Sequence, residues 1–148
     1  MPATKKSLRI PHETAQAVEE ISRESGVDFS TATNQLLDEA VRMRRCPGII
    51  FTHGPSGRRS TVAGTGIDVW EILATFASVA HDTARLRAAY HWLSDAQLRA
   101  ALAYADLYPD DVDARRRRSE AWTETTLRRR HPALAPVTAT HRKRRPRK

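Results

Sequence analysis

The sequence contains a single cysteine and no long apolar run. A lone Cys46 excludes an internal disulfide and a zinc site built from several thiolates. No stretch approaches the ~20 apolar residues that a membrane span needs, and the first residues lack the apolar core of a signal peptide. With 148 residues, the chain has room for one ordinary domain or two small modules. We therefore expect a protein of the reducing cytoplasm.

Recognised catalytic patterns are missing as well. No histidine stands four residues from another, which excludes the zinc-binding His-Glu-x-x-His motif. The turn at residues 54–57 contains two glycines but lacks the Gly-Lys-Ser/Thr ending of a phosphate-binding loop. The arginines near Cys46 would lower the pKa of its thiol, but no base is paired with it. We therefore expect no enzyme activity, no cofactor and no metal.

Positive charge is concentrated at the C-terminal end of the chain. Residues 1–113 contain 12 Lys/Arg and 15 Asp/Glu, a net charge of −3, whereas residues 114–148 contain 13 and 2, a net charge of +11. Together they give the formal charge of +8 of the whole chain. A basic balance of this size favours nucleic acid as a partner. Because the body is mildly acidic, specific DNA binding there has to depend on a few well-placed side chains.

Residues 1–46 have the pattern of one strand and two helices. Near residues 5–10 the side chains alternate, and Pro11 suits the start of a helix. Gly26 can adopt the positive φ that ends this helix, Ser30 is the predicted N-cap of the next, and the second helix extends to about Arg45. One strand and two helices in ~45 residues cannot bury enough apolar surface alone. We therefore expect two copies to pair their strands and interlock their helices.

This order of elements, with its Gly-x-Asp-x-Ser connection between the helices, resembles the ribbon-helix-helix family of DNA-binding proteins over residues 4–45. The resemblance implies that a two-stranded ribbon shared by two copies enters the major groove. Lys5, Ser7 and Arg9 lie on one face of the strand and would contact base edges. The alternative is that these three side chains are only the solvated face of an edge strand.

Phosphate contacts and the dimer core are expected at further positions. The resemblance implies that the backbone N–H groups of Ser30 and Thr31 hold a phosphate. It also implies a homodimer core formed by Leu8, Ile10, Val18, Ile21, Leu36 and Leu37. The basic C-terminal end is expected to be disordered and to bind phosphates independently of sequence. Its residues are Arg142, Lys143, Arg144, Arg145, Arg147 and Lys148.

Residues 47–110 are predicted to form a short hairpin and three helices. Residues 48–53 and 58–63 flank the turn, and apolar residues from 69 to 80 recur at helical spacing. The expected caps and helix ends are Asp82, Trp92, a capping box of Ser94 with Gln97, and Pro109. We expect three aromatic residues to pack in the core, namely Trp70, Tyr90 and Tyr104.

Two segments of this module carry a second resemblance. They are Gly-Thr-Gly-Ile-Asp-Val-Trp-Glu-Ile-Leu at 64–73 and Ser-Asp-Ala-Gln-Leu-Arg-Ala-Ala-Leu-Ala-Tyr-Ala at 94–105. Over about 64–110 the chain is similar to the small helical family catalogued as domain of unknown function 433. The resemblance implies a helix-turn-helix-like fold and an antitoxin-like protein whose partner is a PIN-like ribonuclease toxin. The chain departs from the family at Gly66, where an arginine is usual.

The complete prediction is a mainly α protein with three parts. Residues 1–46 form the DNA-binding and dimerisation domain, 47–110 the antitoxin-like domain, and 111–148 a basic helix with a thin apolar stripe followed by the tail. The expected function is that of a homodimeric, sequence-specific transcriptional regulator, an antitoxin-type autorepressor that neutralises a PIN-like toxin. Such a protein would be cytoplasmic and associated with the nucleoid. The alternative is an architectural protein that binds nucleic acid through its tail, largely without sequence preference.

Overall fold

The computed structural model of the chain describes residues 4–54, 57–121 and 129. It is mainly helical with one antiparallel hairpin, which confirms the predicted fold class at that level. The elements are α1 (His12–Ser25), α2 (Phe29–Arg45), β1 (Ile49–Gly54), β2 (Gly57–Val62), α3 (Val69–Ser78), α4 (Thr83–Ala89), α5 (Asp95–Leu107) and α6 (Pro109–Glu120). Within the described residues, no helix is long and apolar enough to span a bilayer.

The two N-terminal helices have the predicted boundaries except at the start of α2. Gly26 ends α1 in the left-handed conformation with φ of 66°, as expected. The N-cap of α2 is Asp28, so the prediction of Ser30 as the cap was wrong. The Asp28 carboxylate accepts hydrogen bonds from the backbone N–H and the hydroxyl of Thr31, at 3.0 and 2.7 Å. A carboxylate is favoured here because it faces the positive end of the helix dipole.

Residues 4–11, ahead of α1, form no strand in the single chain. A strand is stabilised by backbone hydrogen bonds to a neighbouring strand, and the predicted neighbour is the same segment of a second copy. The intermolecular ribbon therefore stays a prediction.

The hairpin β1–β2 forms where the turn signal placed it. Its register runs from Ile49 opposite Val62 to Gly54 opposite Gly57. At its base, Gly48 has φ of 95°, and a Cβ there would lie 3.3 Å from the Cβ of Ala100 on α5. Glycine at this position lets the strand approach α5 closely.

Two of the three helices after the hairpin, α4 and α5, begin at the predicted caps. The Asp82 side chain caps α4, and Ser94 with Gln97 forms the capping box of α5. Helix α4 ends at Ala89, before the expected Trp92, because Tyr90 leaves the helical conformation. Pro109 lies just after α5, as predicted, and is also the first residue of α6.

The hydrophobic core lies between the hairpin and the helices that follow it. Tyr104 is fully buried, while Trp70 and Tyr90 are half-buried against the core, which confirms the expected packing of these aromatic residues. Its other buried members include Ile49, Val62, Val69, Ile72, Leu86, Leu98, Ala101 and Val112. Cys46 is also buried there, and burial raises the pKa of its thiol despite the nearby Arg42 and Arg45. The expectation of a lowered pKa was wrong.

Candidate nucleic-acid interface

The predicted base-contacting residues lie on an exposed segment directly before α1. Lys5, Ser7 and Arg9 are all solvent-exposed. Among the described residues, no carboxylate lies within ion-pair distance of Lys5 or Arg9. Both cations are therefore available to an anionic or hydrogen-bonding partner.

An open apolar groove of about 320 Å³ lies beside this segment. Leu8 and Ile10 contribute to one side, and α1 and α2 contribute Val18, Leu36 and Leu37. Five of the six predicted dimer-core residues thus line this groove. The sixth, Ile21, lines a second groove, to which Leu36 also contributes.

The N-terminal helices do not close a core of their own. Among residues 4–45, Val18 and Ala32 are the only buried apolar side chains within the part that is described. Leu8 is 60% exposed, Leu37 51% and Val41 48%. Exposed side chains of this size on a single small unit form an apolar face that lacks a partner.

The predicted phosphate site at the start of α2 already holds a negative charge. Ser30 is exposed, but the N–H of Thr31 is bonded to the Asp28 carboxylate. The Thr31 hydroxyl, and then its N–H, lower the pKa of Asp28, so this carboxyl stays ionised at neutral pH. A phosphate at this helix end would have to displace Asp28, and the contact stays a prediction.

A network of charged residues, here called the clamp, joins α2 to the rest of the chain. The clamp consists of Asp38, Glu39 and Arg42 on α2, Arg58 on β2 and Asp111 on α6. Arg58 lies 3.0 Å from Asp38 and 2.9 Å from Glu39, and Arg42 lies 2.9 Å from Asp38 and 3.3 Å from Asp111. Two guanidinium groups thus pair with three carboxylates, and the five residues come from three elements.

Two aromatic side chains contact the charged residues of the clamp. The buried Tyr104 hydroxyl donates to Asp111 at 2.7 Å and accepts from Arg42 at 3.1 Å. Burial, and then the hydrogen bond to Asp111, raise the pKa of Tyr104 well above its ordinary value. Arg42 also lies over the ring of Tyr108, at 4.4 Å from its centroid. The i, i+4 pair of Asp38 and Arg42 was visible in the sequence, but its distant partners were not.

The buried carboxylate of Asp68 contacts residues of the hairpin, α3 and α6. Asp68 is 1% exposed and accepts a hydrogen bond from the Trp70 indole at 3.0 Å. Arg59 on β2 and Arg115 on α6 lie 3.3 and 3.4 Å from its carboxylate. Burial, and then the Asp68 carboxylate, raise the pKa of the neighbouring Glu71. These contacts and buried Val112 fix α6, which the sequence had suggested would have only a thin apolar stripe.

The basic residues Arg142 to Lys148, predicted to contact phosphates, lie outside the described residues. The resemblance of residues 4–45 to the ribbon-helix-helix family likewise stays a prediction. Searches of curated proteins and of solved structures gave no significant match to the chain. Residues 49–105, from the start of β1 into α5, match the model of a family described as Protein of unknown function (DUF433). The matched region begins before residue 64, so it includes the hairpin. This part of the chain, the hairpin with α3, α4 and most of α5, is therefore similar to that family.

Proposed function

We propose that this protein is a homodimeric, sequence-specific DNA-binding regulator whose N-terminal segments pair as a ribbon. The observation that carries the proposal is the apolar face of the N-terminal helices, which none of the described residues covers, next to exposed Lys5, Ser7 and Arg9. A second copy would cover the apolar face, and the polar side chains are suited to hydrogen bonds with DNA.

The apolar face supports a symmetric dimer. Leu8 and Ile10 line a groove that the described part of their own chain leaves open. In a two-fold symmetric dimer, the same residues of each copy form the interface. The apolar face of one copy therefore covers the apolar face of the other. Leu8 is 60% exposed and Leu37 51%, so burying the rest of each side chain contributes about half of the ~1.5–3 kcal/mol gained when a fully exposed leucine is buried.

The polar side chains of the segment support contact with base edges. Arginine and lysine match the O6 and N7 acceptors of guanine, and a dimer would present six such polar side chains. Helix α5 is a poorer candidate for this role. Its exposed positions include Asp95, Asp106 and a single arginine, Arg99. A helix with this balance is not attracted to a phosphate backbone.

The region similar to the DUF433 family is proposed to hold a protein partner, as an antitoxin does for its toxin. Clamp residues Asp38 to Arg42 follow the α2 N-cap Asp28 by 10 to 14 residues. At 1.5 Å per residue, this places them roughly 15–20 Å along α2 from its N-cap, and roughly 10–18 Å from the predicted phosphate contact at Ser30 and Thr31. The separation leaves room for DNA and a protein partner on one dimer. The partner would be a PIN-like ribonuclease, which the family resemblance implies.

The dimer is tested by sedimentation of the full chain and of Leu8→Asp. The wild type should sediment as a dimer, and Leu8→Asp should dissociate, because it places a charge in the shared core at a cost of several kcal/mol. The matched control is Leu107→Asp on α5, since Leu107 is 58% exposed and Leu8 60%. It should remain dimeric. A folded wild-type monomer would contradict the proposal.

DNA recognition is tested by selection from a random duplex library. Wild-type protein should enrich a short palindrome, and Arg9→Ala should relax the preference at one base pair of each half-site. Arg99→Ala, which changes an exposed arginine on α5, is the control and should enrich the same palindrome. Uniform binding without enrichment would favour the architectural alternative.

A further inference from the structure

An open groove of about 400 Å³ lies between α3, α5 and α6, away from the N-terminal segment. Its apolar surface comes from Trp70, Leu73 and Ala77 on α3, Ala105 on α5 and Val112 on α6. The indole of Trp70 is hydrogen-bonded to the buried Asp68, which fixes the ring at the groove wall. The groove is therefore formed in the free chain.

The shape of this groove matches a helix. On α3 the lining residues are 70, 73, 74 and 77, and on α6 they are 109, 112, 113 and 116. Both sets have the i, i+3, i+4, i+7 spacing of one helix face that extends for two turns. Two such faces side by side form a trough about 10 Å long, which a third helix fills by packing its side chains between the ridges.

The charge at the rim sets the chemistry of the occupant. Asp106 is exposed, and no cation lies within ion-pair distance of it among the residues that the structure describes. Asp113 lies 3.6 Å from Arg116, but Arg116 also pairs with Glu120 at 2.9 Å. Of the two carboxylates that line the groove, Asp106 and Asp113, the one lining guanidinium, that of Arg116, offsets only one. The rim keeps a negative charge although the whole chain is strongly basic.

We propose that this groove binds an amphipathic helix of a partner protein that carries lysine or arginine beside its apolar face. The apolar face of that helix would cover Leu73, Ala77 and Val112, and its basic residues would pair with Asp106 and Asp113. A second copy of this chain fits less well, because two-fold pairing would bring the same carboxylates together. The inference does not depend on DNA binding, which is proposed for Lys5, Ser7 and Arg9.

The test is a selection of peptides from a yeast-displayed library, with the full-length protein as bait. The library encodes amphipathic helices of about 18 residues, or about five turns, with random residues beside the apolar face. We expect enriched peptides to carry Lys or Arg at those positions and to bind with Kd values in the micromolar range. Asp106→Lys should shift the enrichment toward Glu and Asp.

Two matched variants show where the selected peptides bind. Ala77 and Ala103 are both exposed alanines within helices, but only Ala77 lines the groove. Ala77→Arg should weaken binding by about tenfold or more, because it fills the trough and adds a charge to the apolar surface. Ala103→Arg should leave binding unchanged. Thermal unfolding of both variants confirms that they are folded.

Four results would overturn the proposal. The first is a library that yields no binders. The second is a set of binders that Ala77→Arg and Ala103→Arg affect equally, and the third is enrichment of acidic flanks by the wild type. The fourth is self-association of the wild type, measured by sedimentation, that Ala77→Arg weakens. The occupant of the groove would then be a second copy of this chain.

Discussion

At the scale of single residues, Asp28 shows how a short polar side chain sets the start of a helix. Its carboxylate binds both the N–H and the hydroxyl of Thr31. The predicted cap, Ser30, lies two positions after the observed cap. The carboxylate is the better cap because it both accepts hydrogen bonds and opposes the helix dipole.

Thr31→Ala should raise the pKa of Asp28 toward its ordinary value of 3.8, because it removes the hydroxyl that contributes most to the lowering. A carboxyl whose pKa is lowered by folding stabilises the folded state above its ordinary pKa. That stabilisation is lost as the pH falls through the lowered value. Carboxyl carbon NMR shifts of Asp28, followed against pH in wild type and variant, measure the change. Identical titration curves would show that the hydroxyl has no such role.

At the scale of elements, the local signals in the sequence predicted most boundaries. In a helix cap, the capping group and the group that it binds are close in the sequence. They are at most four positions apart at Gly26, at Asp82 and in the capping box of Ser94. The hairpin was equally local, because its turn and alternation lie within 16 residues. Such contacts are encoded by neighbours in the sequence, so a pattern can show them.

Contacts between distant parts of the chain could not be predicted in this way. Arg42 meets Tyr104 across 62 positions, and Arg58 meets Asp38 across 20. Four arginines follow one another at 115–118, and Arg115 pairs with the buried Asp68. The composition of this run does not show which arginine makes that contact. The apolar face of the N-terminal helices could be predicted, because exposed and buried positions follow the helical period.

Helix α2 belongs both to the predicted DNA-binding part and, through the clamp, to the part that resembles DUF433. Arg42→Ala should lower the free energy of unfolding by about 2 kcal/mol, because it removes the nearer of the two guanidinium groups at Asp111 and the donor to the buried Tyr104 hydroxyl. Arg44→Ala, an exposed arginine two residues further along α2, is the control and should change stability by less than about 0.5 kcal/mol. Urea unfolding of both variants measures the difference, and equal losses would show that the clamp does not stabilise α2.

At the scale of the whole molecule, the contacts of α6 affect where the chain can be divided. The predicted boundary after residue 110 separates Val112 and Arg115 from the core and from Asp68. A fragment of residues 47–110 would also lose the clamp residues of α2 and Asp111. A cut after Ala121 keeps every one of these contacts. It removes Arg128–Arg130 and the basic run at 142–148 while leaving the described helices in place.

This cut separates the two predicted modes of DNA binding. Truncation after Ala121 should weaken binding to the selected palindrome and to random DNA by a similar factor, since a segment so rich in Lys and Arg is attracted to phosphates whatever the base sequence. It should also flatten the dependence of affinity on salt, because each lost phosphate contact removes about 0.9 from the slope of log affinity against log salt. Arg9→Ala should instead reduce the ratio of the two affinities and change the slope little. Titrations of all three proteins at several salt concentrations measure both quantities. If truncation removes the preference for the palindrome while Arg9→Ala leaves it intact, recognition resides in the C-terminal end and the assignment to the N-terminal segment is wrong.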